Sequence, residues 1–378
     1  MSKYYGLPYQ GSKNRLLKDL FNIFPAADTF IDLFGGGGSV ACYAAKTGRY
    51  NKVIYNELQT WVYWAFRDAL DGKFNGTYPW ISHEEFNRVV ASEYDPTDEQ
   101  GRIYYAIARI CYSFGTGGKR YAYGPKTEEF KRCMYEAIVN RNYVPLLDGY
   151  GIDASGIDSF STVTERRTAT RSMVFQVYVE AGLLVKKGSH YYYNDKNSDD
   201  HQALESMQEM PKNMTLDVIQ DSLNFEKLES IPDDRLEPIE RQDSLHFEKL
   251  ESIPDDRLQS IERQESLLFG ATSNITTYNL DYKDVPLTKN SIIYCDIPYK
   301  NTEKYIDTFD YDGFYDWCIR KTNEGYKIYV SEYAMPEDKF TCVWSKKVKR
   351  LFKHEKEKKV ADAEEKLWVV KVGESHSP

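Results

Sequence analysis

Thr29-Phe30-Ile31-Asp32-Leu33-Phe34-Gly35-Gly36-Gly37-Gly38-Ser39 runs a short apolar strand straight into four glycines, and helix formers resume from Ser39 to Thr47. Glycines there let the chain turn sharply out of a strand and let a ligand approach the backbone. A second apolar strand follows at Lys52 to Tyr55, then an aromatic-rich helix from about Leu58 to Leu70. Strand, glycine turn, helix and strand make a βαβ unit, and a parallel sheet is expected. Upstream, Leu16, Leu17, Leu20, Phe21 and Phe24 recur at helical spacing within Ser12 to Phe24. The glycines do not satisfy G-x-G-x-x-G, because Val40 and Ala41 follow Ser39. With no evident His or Tyr-Lys proton relay either, a nicotinamide oxidoreductase is disfavoured. Glu57, at the end of the second strand, suits the two hydroxyls of a ribose.

The α/β pattern returns late in the chain. Asn274 to Tyr278, Ile292 to Cys295, Lys327 to Val330, Phe340 to Val343 and Leu367 to Val370 read as strands, with a helix at Tyr311 to Thr322. Between the halves, Asp71 to Lys196 reads as helical pieces, including Glu99 to Tyr112 and Lys126 to Val139. It also holds a glycine-rich tip at Gly115 to Lys119 and a hairpin or strand at Leu183 to Tyr193. The expected architecture is a Rossmann-like sheet, helices on both faces, formed by residues 1–70 and 271–378. A mostly helical insert occupies 71–221. Ser222 to Asp243 and Ser244 to Glu265 repeat at a 22-residue period, with FEKLESIPDDRL intact in both copies. Pro232 and Pro254 interrupt any continuous helix, and two copies are too few for a self-supporting solenoid. Residues 222–265 are read as an acidic appendage.

That repeat also explains the charge. The formal net charge is −9, which argues against a nucleic-acid binder. The repeat carries 13 acidic and 6 basic residues, so it holds −7 and leaves −2 for the rest. Outside it lie local basic groups at Lys119-Arg120, at Arg166, Arg167 and Arg171, and from Lys346 to Lys359, and such clusters set phosphate attraction. The six cysteines lack C-x-x-C spacing and read as reduced core residues, and no metal is expected. Without a cleavable leader or a long apolar run, the expectation is a cytoplasmic protein with no membrane partner.

Asp296-Ile297-Pro298-Tyr299 follows the β-branched run Ser291-Ile292-Ile293-Tyr294-Cys295. A carboxylate at a strand's carboxyl end faces a crevice, the proline frees local backbone from helical pairing, and an aromatic ring follows. This suits a flat base bearing an exocyclic amine: the acid and a backbone carbonyl accept the two amine protons while the ring stacks on the base. An ordinary strand-to-turn exit gives the same residue types.

Taken in order, Tyr9-Gln10-Gly11-Ser12-Lys13, Phe34-x-Gly36-x-Gly38-Ser39, Glu57, Asn279-Leu280-Asp281-Tyr282, Asp296-Ile297-Pro298-Tyr299 and the strand around Glu365-Lys366-Leu367 resemble the alpha group of N6-adenine DNA methyltransferases, the Dam-type family. The resemblance implies an S-adenosylmethionine-dependent methyltransferase fold with a target-recognition insert, acting on double-stranded DNA. It implies that Tyr9, Lys13, Asp32, Phe34, Gly36, Gly38 and Ser39 surround the methyl donor, with Glu57 on its ribose and Asp281 and Tyr282 near its adenine. Asp296, Pro298 and Tyr299 would form the site for a flipped-out adenine. Most relatives have proline where this chain has Ile297, which puts the rigidity of the turn in question. A bacterial or phage origin and a restriction endonuclease partner are further implications.

For DNA contact the residues singled out are Lys119, Arg120 and Tyr121 on the basic loop Ser113 to Tyr121, and Arg166, Arg167 and Arg171 as phosphate contacts. Cytosine-N4 or RNA methylation fits the same acceptor pair. A non-catalytic DNA-binding protein on the same scaffold is the alternative from another class.

Overall fold

The computed structural model describes residues 5–74, 79–91, 98–114, 117–180, 184–187, 190–193, 274–299, 309–348 and 363–371. The 22-residue repeat, most of Lys346 to Lys359 and the tip residues Gly115 and Thr116 lie outside them. The chain divides into two compact units, one of 1–75, 89–120 and 254–378, the other of 76–88 and 121–253.

The first unit is built on a seven-stranded sheet. Its strands are β1 (Thr29–Asp32), β2 (Lys52–Asn56), β5 (Ile275–Tyr278), β6 (Ser291–Asp296), β7 (Lys327–Ser331), β8 (Phe340–Val348) and β9 (Ala363–Val370). Their order is β5-β2-β1-β6-β7-β9-β8. From β5 to β7 all neighbours are parallel; β9 then runs antiparallel to β7, and β8 antiparallel to β9. The central strands are buried along their length, which explains their unbroken apolar runs.

Alternate residues serve opposite faces of this sheet. Ile31, Ile54, Ile293 and Val330 pack with Phe314, Trp317 and Cys318 of α9 (Tyr311–Asn323). On the other face, Phe30 stacks on Phe21 of α1 (Leu17–Ile23), and Phe24, just past that helix, meets both Tyr294 and Tyr329. Helices therefore cover both faces of a Rossmann-like sheet. Each fully buried large apolar side chain contributes about 1.5–3 kcal/mol.

Because β1 continues through α2 (Ser39–Thr47) to β2 on one side, while β6 continues through α9 to β7 on the other, the strand order reverses between β1 and β6. The crevice at the carboxyl ends of two such strands is where open α/β sheets bind ligands. This unit also holds α3 (Thr60–Leu70) and α5 (Glu99–Cys111). The expected helix Leu58 to Leu70 starts at Thr60, since Gln59 is extended.

The second unit has its own core. Phe130, Met134 and Ile138 of α6 (Pro125–Ile138) pack with Leu146 and Tyr150 of α7 (Val144–Tyr150) and with Phe175 and Tyr178 of α8 (Val163–Glu180). The stretch read as a hairpin is an antiparallel pair, β3 (Leu184–Lys187) with β4 (His190–Tyr193). The helix α4 (His83–Ala91) crosses the boundary of the units. Five cysteines are buried; Cys342, expected in a core, is exposed on β8 at the sheet's edge, beside an irregularity in the pairing with β9.

Candidate active site

Asp32 ends β1 and is 1% exposed. Its Oδ2 accepts the Ala41 amide of the first turn of α2 at 3.0 Å, and its Oδ1 is buried without a partner. Burial pushes this carboxyl up to about 8, against the opposing pull of the Ala41 amide. A buried acid with an open oxygen beside a helix N-terminus suits a cationic group, which would supply the missing partner.

The glycine turn wraps this acid. Gly36 and Gly38 both have positive φ, +49° and +77°. A Cβ on Gly38 would lie 2.0 Å from the Phe66 ring, so only glycine fits. The Gly35 amide donates to the Asn56 carbonyl at 2.7 Å, and the Tyr55 hydroxyl donates to the Gly36 carbonyl at 2.7 Å. From the N-terminal segment, the Lys13 amide reaches Ser39 Oγ at 3.3 Å and the Tyr9 hydroxyl reaches Gln59 Oε1 at 3.2 Å.

Glu57 follows β2. Its Oε2 accepts from the Gly36 amide at 2.8 Å and its Oε1 from the Gln59 amide at 2.7 Å, so the acid is fixed in place with lone pairs to spare. Burial raises its pKa while those amides lower it. Asn279 donates to the carbonyls of Glu57 at 2.6 Å and Leu58 at 3.0 Å, and Asn56 makes reciprocal bonds with the Leu280 backbone at 3.1 Å. Asn56 was not singled out from sequence; an asparagine at a strand end next to an acid was its only signal. Tyr282 is a core residue, its ring 5.6 Å from Phe34 and 5.4 Å from both Phe314 and Trp317. Asp281 is exposed and caps its own turn by accepting the Lys283 amide at 2.9 Å.

Asp296 ends β6, the strand hydrogen-bonded to β1. Its Oδ2 lies 2.6 Å from Lys13 Nζ, and its Oδ1 is buried without a partner. Burial raises the Asp296 pKa, and the Lys13 ammonium opposes that rise. For Lys13, burial lowers the pKa, but Asp296 and Glu365 outweigh it and hold the ammonium charged. Tyr299 donates its hydroxyl to Glu365 Oε2 at 2.7 Å, meets the Tyr333 ring edge-on at 4.4 Å, and has Lys13 Nζ 5.2 Å from its centroid. The Tyr311 hydroxyl donates to the Pro298 carbonyl at 2.9 Å. Ile297 is 2% exposed, its side chain turned into the core rather than toward a ligand.

Among the basic residues, Lys119 and Arg120 are exposed. The described residues beside them are tied together: the Phe114 amide donates to the Arg120 carbonyl at 2.7 Å, the Gly118 amide to Ser113 Oγ at 2.9 Å, and Arg109 Nη1 to the Gly118 carbonyl at 3.1 Å. In the second unit, Tyr121 is buried and donates its hydroxyl to the Ile81 carbonyl at 2.8 Å. Arg166, read from sequence as a phosphate contact, is 6% exposed. Its Nε donates to the Ile138 carbonyl at 2.7 Å, and its Nη1 to the carbonyls of Phe160 at 3.3 Å and Ser161 at 3.0 Å. That geometry ties three chain segments together and turns the charge inward. Arg167 and Arg171 are half-buried, the latter with its guanidinium 5.4 Å from the Phe175 ring.

Among the described residues no group of three or more His, Cys, Asp or Glu is placed to hold a metal, and no helix is long and apolar enough to cross a membrane. Residues 9–151 match the family model described as D12 class N6 adenine-specific DNA methyltransferase. No curated protein matches the chain.

Proposed function

We propose that this chain, whose residues 9–151 match the model of the D12 class N6 adenine-specific DNA methyltransferases, methylates adenine N6 in DNA, with S-adenosylmethionine as its methyl donor and Asp296 as its catalytic acceptor. One observation carries this reading. Asp32 and Asp296 end adjacent parallel strands at the reversal point of the sheet, and each has a buried Oδ1 with no partner.

The residues present fit the donor. Asp32 Oδ1 would take its ammonium, Gly36 would let it lie against the backbone, and Glu57 would bind its ribose hydroxyls. When bound, S-adenosylmethionine supplies an electrophilic methyl group on a positively charged sulfur. The protein's own work concerns the amine. An adenine N6 lone pair is delocalised into the ring, and two acceptors on its protons draw it toward tetrahedral geometry. Asp296 Oδ1 serves as one. The Pro298 carbonyl already accepts from Tyr311, so the Ile297 carbonyl is the natural second. These acceptors face the nitrogen on which positive charge develops, where fixed dipoles lower a barrier most. Asp296 then takes the proton that N6 releases.

A duplex hides N6 within stacked pairs, so the adenine must be extruded, with Tyr299 replacing part of the lost stacking. Lys119 and Arg120, which are exposed, would meet a phosphate or a guanine edge. Incubating the protein with methyl-labelled S-adenosylmethionine and unmethylated DNA, then hydrolysing to nucleosides, tests the reading. Label in N6-methyladenine is expected; label in cytosine, or none, contradicts it.

A further inference from the structure

We infer that Glu365 is a positioning residue for the target-base site, acting through the Tyr299 hydroxyl. This rests on the reading of Asp296 and Tyr299 as that site.

Sheet register brings Glu365 to the right edge. Asp296 pairs with Ser331 on β7, and Ser331 with Leu367 on β9. Since β9 is antiparallel, the residues that precede Leu367 run past the carboxyl ends of β6 and β7. Glu365 thus stands beyond the same edge as Asp296, and its Oε2 accepts from the Tyr299 hydroxyl at 2.7 Å. Tyr333 meets the Tyr299 ring from the side, and Lys13 stands at its face. The hydroxyl does most to fix rotation, since it bonds to Glu365 and also interacts with Asp296, whose pKa it lowers, whereas an edge-on ring and a distant cation resist turning weakly.

The physical need is orientational. A ring that stacks on an extruded base must already face it, or part of the stacking energy goes into ordering the ring. Phenylalanine would stack as well as tyrosine, so a tyrosine here has a use only if its hydroxyl is held. A carboxylate is a strong acceptor for it. Burial and neighbouring carboxylates keep the Tyr299 hydroxyl protonated, hence a donor.

The test uses the full chain and DNA carrying the word it methylates, found by sequencing DNA modified by the wild-type protein. Single-turnover methylation is measured, together with the fluorescence of 2-aminopurine at the target position without methyl donor. Glu365→Ala is expected to slow turnover roughly tenfold and to weaken the 2-aminopurine signal, the scale of one lost charged hydrogen bond. The thermal shift given by S-adenosylmethionine should be unchanged. Glu365→Gln, which still accepts, should restore most of both signals, and adding Tyr299→Phe to Glu365→Ala should cost little more. Additive losses, a Gln variant as slow as Ala, or an Ala variant equal to wild type would overturn the inference. Tyr299→Phe alone removes only the hydroxyl, so its full activity overturns it even where Glu365→Ala does not fold. A wild-type protein that transfers no methyl group would instead overturn the functional reading beneath it.

Discussion

Lys13 Nζ lies 2.6 Å from Asp296 Oδ2, joining the N-terminal segment to the end of β6 across 283 positions of sequence. The cation sits against one oxygen of the acid and leaves the other, Oδ1, open. The pair therefore does two things: it opposes the upward pull of burial on the acid's pKa, and it leaves the other oxygen open as an acceptor.

Replacing Lys13 by methionine removes the charge that opposes the rise in the Asp296 pKa. Its carboxyl would then titrate higher, and a protonated acid accepts poorly. The acidic limb of the pH–rate profile should move toward neutral pH. On the low side of that limb the rate should fall about tenfold for each pH unit by which the limb has moved. A profile unchanged in position would show that Lys13 does not set the charge of Asp296.

Asp32 supplies a second pH dependence, of opposite use. Its folded pKa of about 8 exceeds the ordinary carboxylate value, so the folded chain binds a proton that the unfolded chain has released. The stability from this group is fully present below about pH 4 and falls away as pH rises to about 8. Taking up a cationic ligand at Asp32 must expel that proton. Affinity for S-adenosylmethionine should rise from about pH 6 to about pH 8, by up to about tenfold per pH unit, with measurable proton release in calorimetry. Asp32→Asn should flatten the dependence.

Two glycines with the same sign of φ should behave differently. At Gly38 a methyl group would strike the Phe66 ring, whereas Gly48, φ +65°, faces open space. Gly38→Ala combines left-handed strain with overpacking and should cost about 2–4 kcal/mol. Gly48→Ala carries strain alone, about 1–2 kcal/mol. Denaturant unfolding of the two variants compares them directly.

Arg166 and Arg120 should also separate. Arg166→Ala strands three carbonyls and should cost about 3 kcal/mol of stability, with the salt dependence of DNA binding unaltered. Arg120→Ala should leave stability alone and, if it meets a phosphate, reduce the salt slope by about 1. Thermal unfolding beside binding titrations at several salt concentrations distinguishes them.

Much of this fold was legible because its signals are local. The β-branched runs at Thr29 to Asp32 and Ser291 to Asp296 are buried on both faces and leave no alternation to misread, and the four glycines mark where β1 must turn. Sheet order was not legible, since nothing in Ser291 to Asp296 says that β1 rather than β5 lies beside it. The acids stand out in the sequence by their place after strands, but what they touch does not: Lys13 meets Asp296, and Glu365 meets Tyr299, through pairings that only the assembled sheet creates. Arginines mislead most readily from sequence. Arg166 and Arg171 are one residue type on one helix, and only packing shows that the first is turned inward.

The most direct test concerns Asp296 alone. With Asp296→Ala, methyl transfer to adenine N6 in DNA should fall by at least about 10³-fold, the scale of a lost catalytic acceptor, while calorimetry shows S-adenosylmethionine bound with near wild-type affinity. Retained turnover, or affinity lost in step with turnover, would contradict the assignment.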